Sequence, residues 1–99
     1  MVIKNLDKYK QKYIVTKSID CMAYILYATK LNYKMYINTT EEDGSNVFTI
    51  ARNKETEKAY STYKDTAQMR KDLICNIHFY NYCIGKIKKI TKIYKENQK

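Results

Sequence analysis

The chain has 99 residues, enough for one domain with a single modest core. Apolar residues make up 44% of it and charged residues 29%, with no proline and two glycines, so collagen-like, low-complexity and linker-rich classes are excluded. The net charge of +9 lies at the two ends: residues 1–17 carry five Lys against one Asp, residues 83–99 carry six Lys against one Glu, and the middle sums to zero. This layout suits an acidic partner, although lysine can also serve solubility alone.

The cysteines and the N-terminus bear on the cellular compartment. Cys21, Cys75 and Cys83 are an odd set without a CxxC pair, and the N-terminus lacks a long apolar segment. These features favour a reduced, cytoplasmic protein. The longest apolar stretch falls well short of the ~20 residues that cross a bilayer, so we expect no membrane partner.

The first elements in chain order are a basic arm, a strand and an apolar helix. Residues 1–11 are polar and predict a loose or helical arm. Residues 12–16, KYIVT, are rich in β-branched and aromatic side chains and predict a short strand. Ser18 is a good N-cap for a helix that runs to about Lys30, with Asn32 as its stop signal. This helix is nearly uncharged in a very basic chain, so we expect other elements to cover most of its sides.

The middle of the chain predicts a β-hairpin. Residues 31–38, LNYKMYIN, alternate with period two, which places the apolar positions on one face and Lys34, Tyr36 and Asn38 on the other. The segment TTEEDGS is the clearest turn signal in the chain, and NVFTIA returns as the second strand. A helix with an asparagine N-cap then follows over about residues 54–63.

A long amphipathic helix is predicted for the C-terminal third, with Gly85 inside it. Its apolar residues recur at steps of three, four and seven, at Met69, Leu73, Ile77, Tyr80, Ile84, Ile87 and Tyr94. Near the C-terminus the apolar arc of the helical wheel holds Ile87, Ile90, Ile93 and Tyr94. The opposite arc holds Lys88, Lys89, Lys92 and Lys95.

Together these elements predict an α+β fold in the order β-α-β-β-α-α, in one domain over residues 12–99. A three-stranded antiparallel or mixed sheet would carry the helix at 18–30, with the long C-terminal helix outside it. A partner or a second copy of the chain could cover the apolar helix instead. Both a monomer and a homodimer therefore stay open.

No motif predicts catalysis, a metal or a cofactor. The spacing Cys75-x2-His78-x4-Cys83 offers three potential zinc ligands, but Cys83 lies more than two helical turns from Cys75, and structural zinc takes four ligands. Buried cysteines behave as small apolar residues. The chain has one histidine, no glycine-rich phosphate loop and no recognisable nucleophile–base motif. We therefore expect a protein that is not an enzyme.

Lysines and tyrosines are the residues most suited to a partner. One face of the C-terminal helix could follow a phosphate backbone with salt-dependent affinity, although a solvated helix face is the simpler interpretation. This face consists of Lys88, Lys89, Lys92 and Lys95. Tyrosine supplies eleven of the thirteen aromatic residues. If one sheet face is open, Lys34 and Tyr36 are a candidate contact pair.

The segments YIVTKSIDCMAYILYATKLNYKMY and NVFTIARNKETEKAYSTY resemble a small domain-of-unknown-function family from phages and mobile elements of low-GC Gram-positive bacteria. The shared pattern covers about residues 12–95: a short strand, a Ser/Thr-Lys-Ser-type entry to an apolar AYIL helix, a strand pair and a capped acidic helix. Family members often have a glycine after the first helix, where this chain has TKLNY. The resemblance implies a setting in the cytoplasm of a bacterial host cell and carries no catalytic residues.

That setting orders the functional hypotheses. Small, charged phage proteins often inhibit host defence systems, CRISPR nucleases among them, so the first hypothesis is a stoichiometric, anti-CRISPR-like inhibitor of a host defence nucleoprotein complex. The second is an accessory protein that binds DNA or RNA without sequence preference through the basic C-terminal helix. A sponge for a small nucleotide signal is a third. Tyr36→Ala should damage the first activity most, and charge reversal at Lys88 and Lys92 the second.

Overall fold

The computed structural model describes residues 2–41, 44–65 and 77–97. Within these residues the element order is β-α-β-α-β-β-α-α. The elements are β1 (Val2–Ile3), α1 (Leu6–Lys10), β2 (Tyr13–Thr16), α2 (Ile19–Ala28), β3 (Met35–Thr40), β4 (Asn46–Ala51), α3 (Lys54–Lys64) and α4 (Ile77–Asn97). The predicted α+β fold with a long C-terminal helix is confirmed. The predicted count of three strands is wrong, because the mixed sheet has four.

The additional strand lies at the N-terminus. The strands are arranged in the order β1-β3-β4-β2, with β1 parallel to β3 and the other two pairs antiparallel. Val2 pairs with Thr39 and Ile3 with Thr40, so the start of the segment expected to be an arm is part of the sheet. Two residues cannot display an alternation of period two, which is why the sequence pattern did not reveal β1.

The predicted hairpin of β3 and β4 is confirmed. The two strands pair in the antiparallel register that places Ile37 opposite Phe48, and β4 coincides with the predicted NVFTIA. Gly44 in the turn has φ 69°, a conformation that glycine adopts without strain. Asp43 of the turn signal lies outside the described residues. The first strand begins at Met35, four residues later than the start of the alternating pattern.

Helix α2 starts where the sequence predicts and ends earlier. Ser18 is its N-cap, because Ser18 Oγ accepts a hydrogen bond from the Cys21 N–H at 3.1 Å. The last helical residue is Ala28 rather than Lys30. The predicted stop signal, Asn32, lies beyond the turn that ends the helix. The two residues that precede Asn32, Lys30 and Leu31, already have left-handed backbone angles.

The turn after α2 is a Schellman motif built without glycine. Lys30 and Leu31 have φ 54° and 60°. The Leu31 N–H donates to the Leu26 carbonyl at 2.9 Å, and the Lys30 N–H donates to the Tyr27 carbonyl at 3.1 Å, which is the hydrogen-bond pattern of this motif. The motif turns the chain away from the helix axis, so the residues before Met35 cannot extend β3.

The monomer itself covers the apolar helix α2. The side chains of residues 21–26 are all buried. The helix contacts the sheet through β2 and β4, and it also packs against α3 and α4. The Tyr24 ring lies 6.1 Å from the Tyr63 ring of α3, and the Tyr27 ring lies 5.6 Å from the Phe79 ring of α4. Of the two possibilities left open by the sequence, burial within one chain is therefore the observed one.

Helices α3 and α4 form the outer layer. Asn53 caps α3 through a capping box, in which its side chain accepts from the Thr56 N–H at 3.0 Å and Thr56 Oγ1 accepts from the Asn53 N–H at 2.9 Å. Helix α4 is described from Ile77 onwards, so Met69 and Leu73 of the predicted stripe lie outside the described residues. The buried side chains of α4 are Tyr80, Cys83 and Ile87.

Two residues predicted for the apolar stripe of α4 are not in the core. Ile77 is 45% exposed and Ile93 is 49% exposed. At 100° per residue they lie about 80° and about 120° around the helix from the buried Ile87. The helix buries only the arc that faces α2, because one neighbouring helix cannot cover a wider one. Both isoleucines therefore lie on its flanks.

The opposite face of the sheet carries α1. Asn38, predicted on a polar outward face, is buried there because Tyr9 of α1 lies over it. The Asn38 amide donates to the Tyr9 hydroxyl and to Thr49 Oγ1, both at 3.0 Å. The two hydrogen bonds satisfy both amide protons of a side chain that is out of contact with water. The short helix is thereby fixed to the sheet by a polar network.

Candidate partner-binding surface

The predicted contact pair, Lys34 and Tyr36, lies at a corner of the sheet that α1 leaves open. Tyr36 pairs with Thr49 in the sheet and is 51% exposed. Lys34, also exposed, places its Nζ 5.5 Å from the centroid of the Tyr36 ring. At this distance a lysine is attracted to the ring face by the quadrupole of the aromatic system. The pair therefore presents an aromatic ring and a positive charge side by side.

The four predicted lysines of α4 are all exposed. Lys88, Lys92 and Lys95 fall within an arc of about 60° on the helix, whereas Lys89 lies about 100° from Lys88. Within the described part of the chain, none of them has a carboxylate at ion-pair distance. The helix therefore carries one stripe of three lysines and a fourth lysine on a neighbouring face.

That neighbouring face of α4 forms a shallow apolar groove of about 490 Å³. Its lining residues are Tyr82, Gly85, Lys86, Lys89, Ile90 and Ile93. Tyr82 is 60% exposed, the largest fraction among the exposed large apolar residues that the structure describes. The sequence pattern does not indicate this groove, because an isoleucine on the flank of a helix fits an apolar stripe as well as an isoleucine in the core does. The feature of the sequence that could have indicated the groove is the spacing of Tyr82 and Ile93. They are eleven residues apart, or about three helical turns, which places both on the same side of the helix.

A second hollow of about 320 Å³ connects the groove to the sheet corner. It is lined by Leu26, Leu31, Asn32, Tyr33, Lys34, Met35, Lys86 and Ile90. Lys86 and Ile90 also line the groove on α4, and Lys34 also belongs to the pair with Tyr36. We call the continuous surface from Tyr36 to Ile93 the tyrosine–lysine surface. No carboxylate lines either hollow within the described residues.

The two basic ends of the chain approach each other beside an acidic turn. Tyr94 near the end of α4 is hydrogen-bonded to Thr39 Oγ1 at 2.8 Å, and Thr39 pairs with Val2 of β1. The Glu41 N–H donates to the Ile3 carbonyl at 3.0 Å, which places the hairpin turn at the same end. The turn, the strand β1 and the end of α4 therefore lie at one end of the sheet.

The two described thiols lie in the core. Cys21 and Cys83 are buried, and desolvation by burial raises the pKa of both thiols. No cluster of three His, Cys, Asp or Glu side chains among the described residues could hold a metal ion. His78 is exposed, and Cys75, the third member of the considered zinc motif, lies outside the described residues.

Among the described helices, none combines the length and the apolar character needed to cross a membrane. Comparison of the chain with protein-family models, with curated proteins and with solved structures found no match.

Proposed function

We propose that this chain is a non-enzymatic binding protein that inhibits a host defence nucleoprotein complex by stoichiometric binding. The observation that supports this proposal is the tyrosine–lysine surface, which joins Tyr36, Lys34 and the α4 groove without a lining carboxylate. Exposed tyrosines next to lysines suit a partner that offers both apolar and anionic groups. A complex of protein and nucleic acid offers both.

The charge of the chain supports the same type of partner. The described part of α4 carries five lysines against Glu96, and Lys34 adds a further positive charge at the sheet corner. Such a field accelerates encounter with an anionic surface, while fixed aromatic contacts slow dissociation. A stoichiometric inhibitor needs slow dissociation, because it must stay bound to its target for as long as the target is active.

The proposal is tested with a reconstituted RNA-guided nuclease from a low-GC Gram-positive bacterium. Cleavage of labelled DNA is measured as the purified protein is added in increasing molar ratio. We expect cleavage to fall to an end point at one inhibitor per complex. Tyr36→Ala should weaken inhibition at least about tenfold, as expected for an aromatic anchor. Ile77→Ala, which removes an exposed apolar side chain outside the surface, is the matched control and should inhibit normally.

Full cleavage with excess protein, across the nuclease types of such bacteria, would contradict the proposal. Equal loss of inhibition in Tyr36→Ala and Ile77→Ala would also contradict it, because a specific surface should distinguish the two changes. Circular dichroism of both variants shows whether each one retains the wild-type fold.

A second candidate function is sequence-nonspecific binding of DNA or RNA as an accessory protein. The stripe of Lys88, Lys92 and Lys95 favours it, because these exposed ammonium groups lie along one side of α4. Each neutralised phosphate releases a counterion, so the logarithm of the affinity should fall linearly with the logarithm of the salt concentration. The experiment is binding of labelled single- and double-stranded DNA and RNA across a salt series.

Charge reversal separates this second function from the first. In the double variant Lys88→Glu and Lys92→Glu, the slope should become shallower by about two phosphate contacts, or about 1.4 to 1.8 units. The control reverses Lys54 and Lys58 on α3, which are equally exposed and lie outside the stripe. An unchanged slope in the α4 variant would exclude the stripe as the nucleic-acid site.

A further inference from the structure

Helix α4 turns an apolar stripe away from the body of the protein. Tyr82 and Ile93 are 60% and 49% exposed, and the half-buried Ile90 lies between them. The stripe from residue 82 to residue 93 extends over about 16 Å at 1.5 Å per residue, or three helical turns. The Tyr82 ring stacks on the Phe79 ring at 6.5 Å, but most of its surface and about half of Ile93 stay in water, where apolar area contributes nothing to the stability of the monomer. The length matches one side of a short partner helix.

Gly85 lies in the middle of this stripe and makes the groove deeper there, because it has no side chain. It lies inside a helix, where glycine costs about 1 kcal/mol relative to alanine. Its backbone angles do not require glycine, and a Cβ atom built at this position would have no atom within 4 Å. The packing of the described residues therefore gives no reason for its presence. Its absent side chain leaves room for another backbone or side chain to approach α4 closely.

The charges around the groove select the type of occupant. Lys86 and Lys89 lie among the apolar lining residues, and no described carboxylate does. A second copy of this chain, with a net charge of +9, would bring lysine against lysine. Nucleic acid would leave the isoleucines facing a polar backbone. An α-helix with apolar residues on one side and carboxylates beside them complements both features of the groove.

We propose that the α4 groove binds an acidic amphipathic helix of a protein partner. This inference rests on the proposed function as a binding protein and names the part of the protein target that is held. The partner helix would place apolar side chains at i, i+3, i+4 and i+7 against Ile90 and Ile93, close to Gly85. Its flanking carboxylates would meet Lys86 and Lys89.

The experiment measures fluorescence anisotropy of labelled synthetic peptides with the purified full-length protein. The test peptide is an amphipathic helix of about five turns with Leu at the apolar positions and Glu beside them. One comparison peptide has Lys in place of Glu, and another has the same composition with the Leu positions scrambled. We expect only the first peptide to bind. Equal binding of all three, or no binding of the first, would overturn the inference.

Variants at Gly85 place the binding site on α4. Gly85→Gln fills the open space above Gly85 with a neutral side chain that favours the helical conformation. We therefore expect the peptide affinity to fall at least about tenfold, while the melting temperature of the protein is not lowered. Ser61→Gln introduces the same side chain at an exposed position of α3, outside the groove lining, and is the matched control. Unchanged affinity in Gly85→Gln would overturn the inference. So would a wild-type dimer that Gly85→Gln converts to a monomer, because a second copy would then occupy the groove.

The nuclease assay on the same samples separates this inference from the proposed function. Inhibition of the nuclease without binding of the acidic peptide would overturn the groove assignment and leave the proposed function standing. Peptide binding that is sensitive to Gly85→Gln, without inhibition of any nuclease, would support the groove and contradict the proposed target.

Discussion

Lys30 has a side chain in a backbone conformation that favours glycine. Its φ of 54° places it at the left-handed position of the Schellman motif after α2. A non-glycine residue costs roughly 1–2 kcal/mol in this conformation. We expect Lys30→Gly to raise the free energy of unfolding by about 1 kcal/mol, since relief of strain exceeds the added flexibility of the unfolded chain. Urea denaturation measures the difference.

The control for this prediction is Lys30→Ala, which removes the same charge and keeps the unfavourable Cβ atom. Its stability should stay close to that of the wild type. A Lys30→Gly protein no more stable than Lys30→Ala would show that the left-handed turn is not strained.

Tyr80 gives the protein a specific weakness at alkaline pH. Burial is the main cause that raises the pKa of Tyr80 to about 12, with a smaller contribution from the charge of Asp20. The unfolded value is about 10, so the folded state favours the neutral phenol. Its contribution to stability is complete below about pH 10 and is lost as the pH rises towards about 12. Over this interval the free energy of unfolding should fall by roughly 1 kcal/mol per pH unit.

The variant Tyr80→Phe keeps the ring and removes the ionisable group. We expect its stability to depend less steeply on pH between about pH 10 and about pH 12 than that of the wild type. Urea unfolding of both proteins at several pH values in this range measures the two slopes. If the slopes are the same, the loss of stability comes from other groups.

At the scale of elements, a hydrogen bond connects the last turns of α4 to the sheet. The Tyr94 hydroxyl lies 2.8 Å from Thr39 Oγ1, and both side chains are half-buried. Tyr94→Phe removes this bond and should lower the free energy of unfolding by about 1 kcal/mol. Hydrogen exchange should accelerate in the last turns of α4 and stay unchanged around Cys83. Tyr82→Phe, at an exposed position of the same helix, should leave both measurements unaltered.

The elements differ in how well the sequence predicts them. The residues of β4 and the caps Ser18 and Asn53 were predicted correctly, because turn and capping chemistry is local. The strand β1 was missed, because its two residues gain their place only by pairing with β3. The helix after Ser18 ends earlier than predicted for another reason. The backbone adopts a left-handed conformation at Lys30, and lysine has no preference for that conformation from which the end of the helix could be predicted.

The candidate site was predicted only in part for the same physical reason. The exposure of Lys34, Tyr36 and the four lysines of α4 follows from local periodicity. The groove does not, because whether Ile93 faces the core or water depends on where α2 stops covering α4. That boundary is set by tertiary packing, and a helical wheel of one element does not contain it.

At the scale of the whole molecule, we expect the acidic turn to reduce the effect of the basic ends. Glu41 lies two residues after Thr39, whose hydroxyl is hydrogen-bonded to Tyr94, so the turn and the last turns of α4 lie at the same end of the sheet. If the end of α4 contacts a nucleic acid, Glu41→Gln should tighten binding at about 0.1 M salt by a few-fold, which corresponds to less than about 1 kcal/mol for exposed charges. Binding of labelled single-stranded DNA at this salt concentration measures the change.

Asp20 provides the matched control for Glu41. Its backbone carbonyl accepts a hydrogen bond from Tyr80, which lies fifteen residues before Lys95 on α4 and therefore about 20 Å away from it along the helix. This distance exceeds the Debye length of about 10 Å at 0.1 M salt, so Asp20→Asn should leave the affinity unchanged at that salt concentration and above. Tightening by Glu41→Gln alone places bound nucleic acid at the end of α4 beside the turn. Equal effects of both substitutions would mean that only net charge matters, and no effect of Glu41→Gln would place the nucleic acid elsewhere.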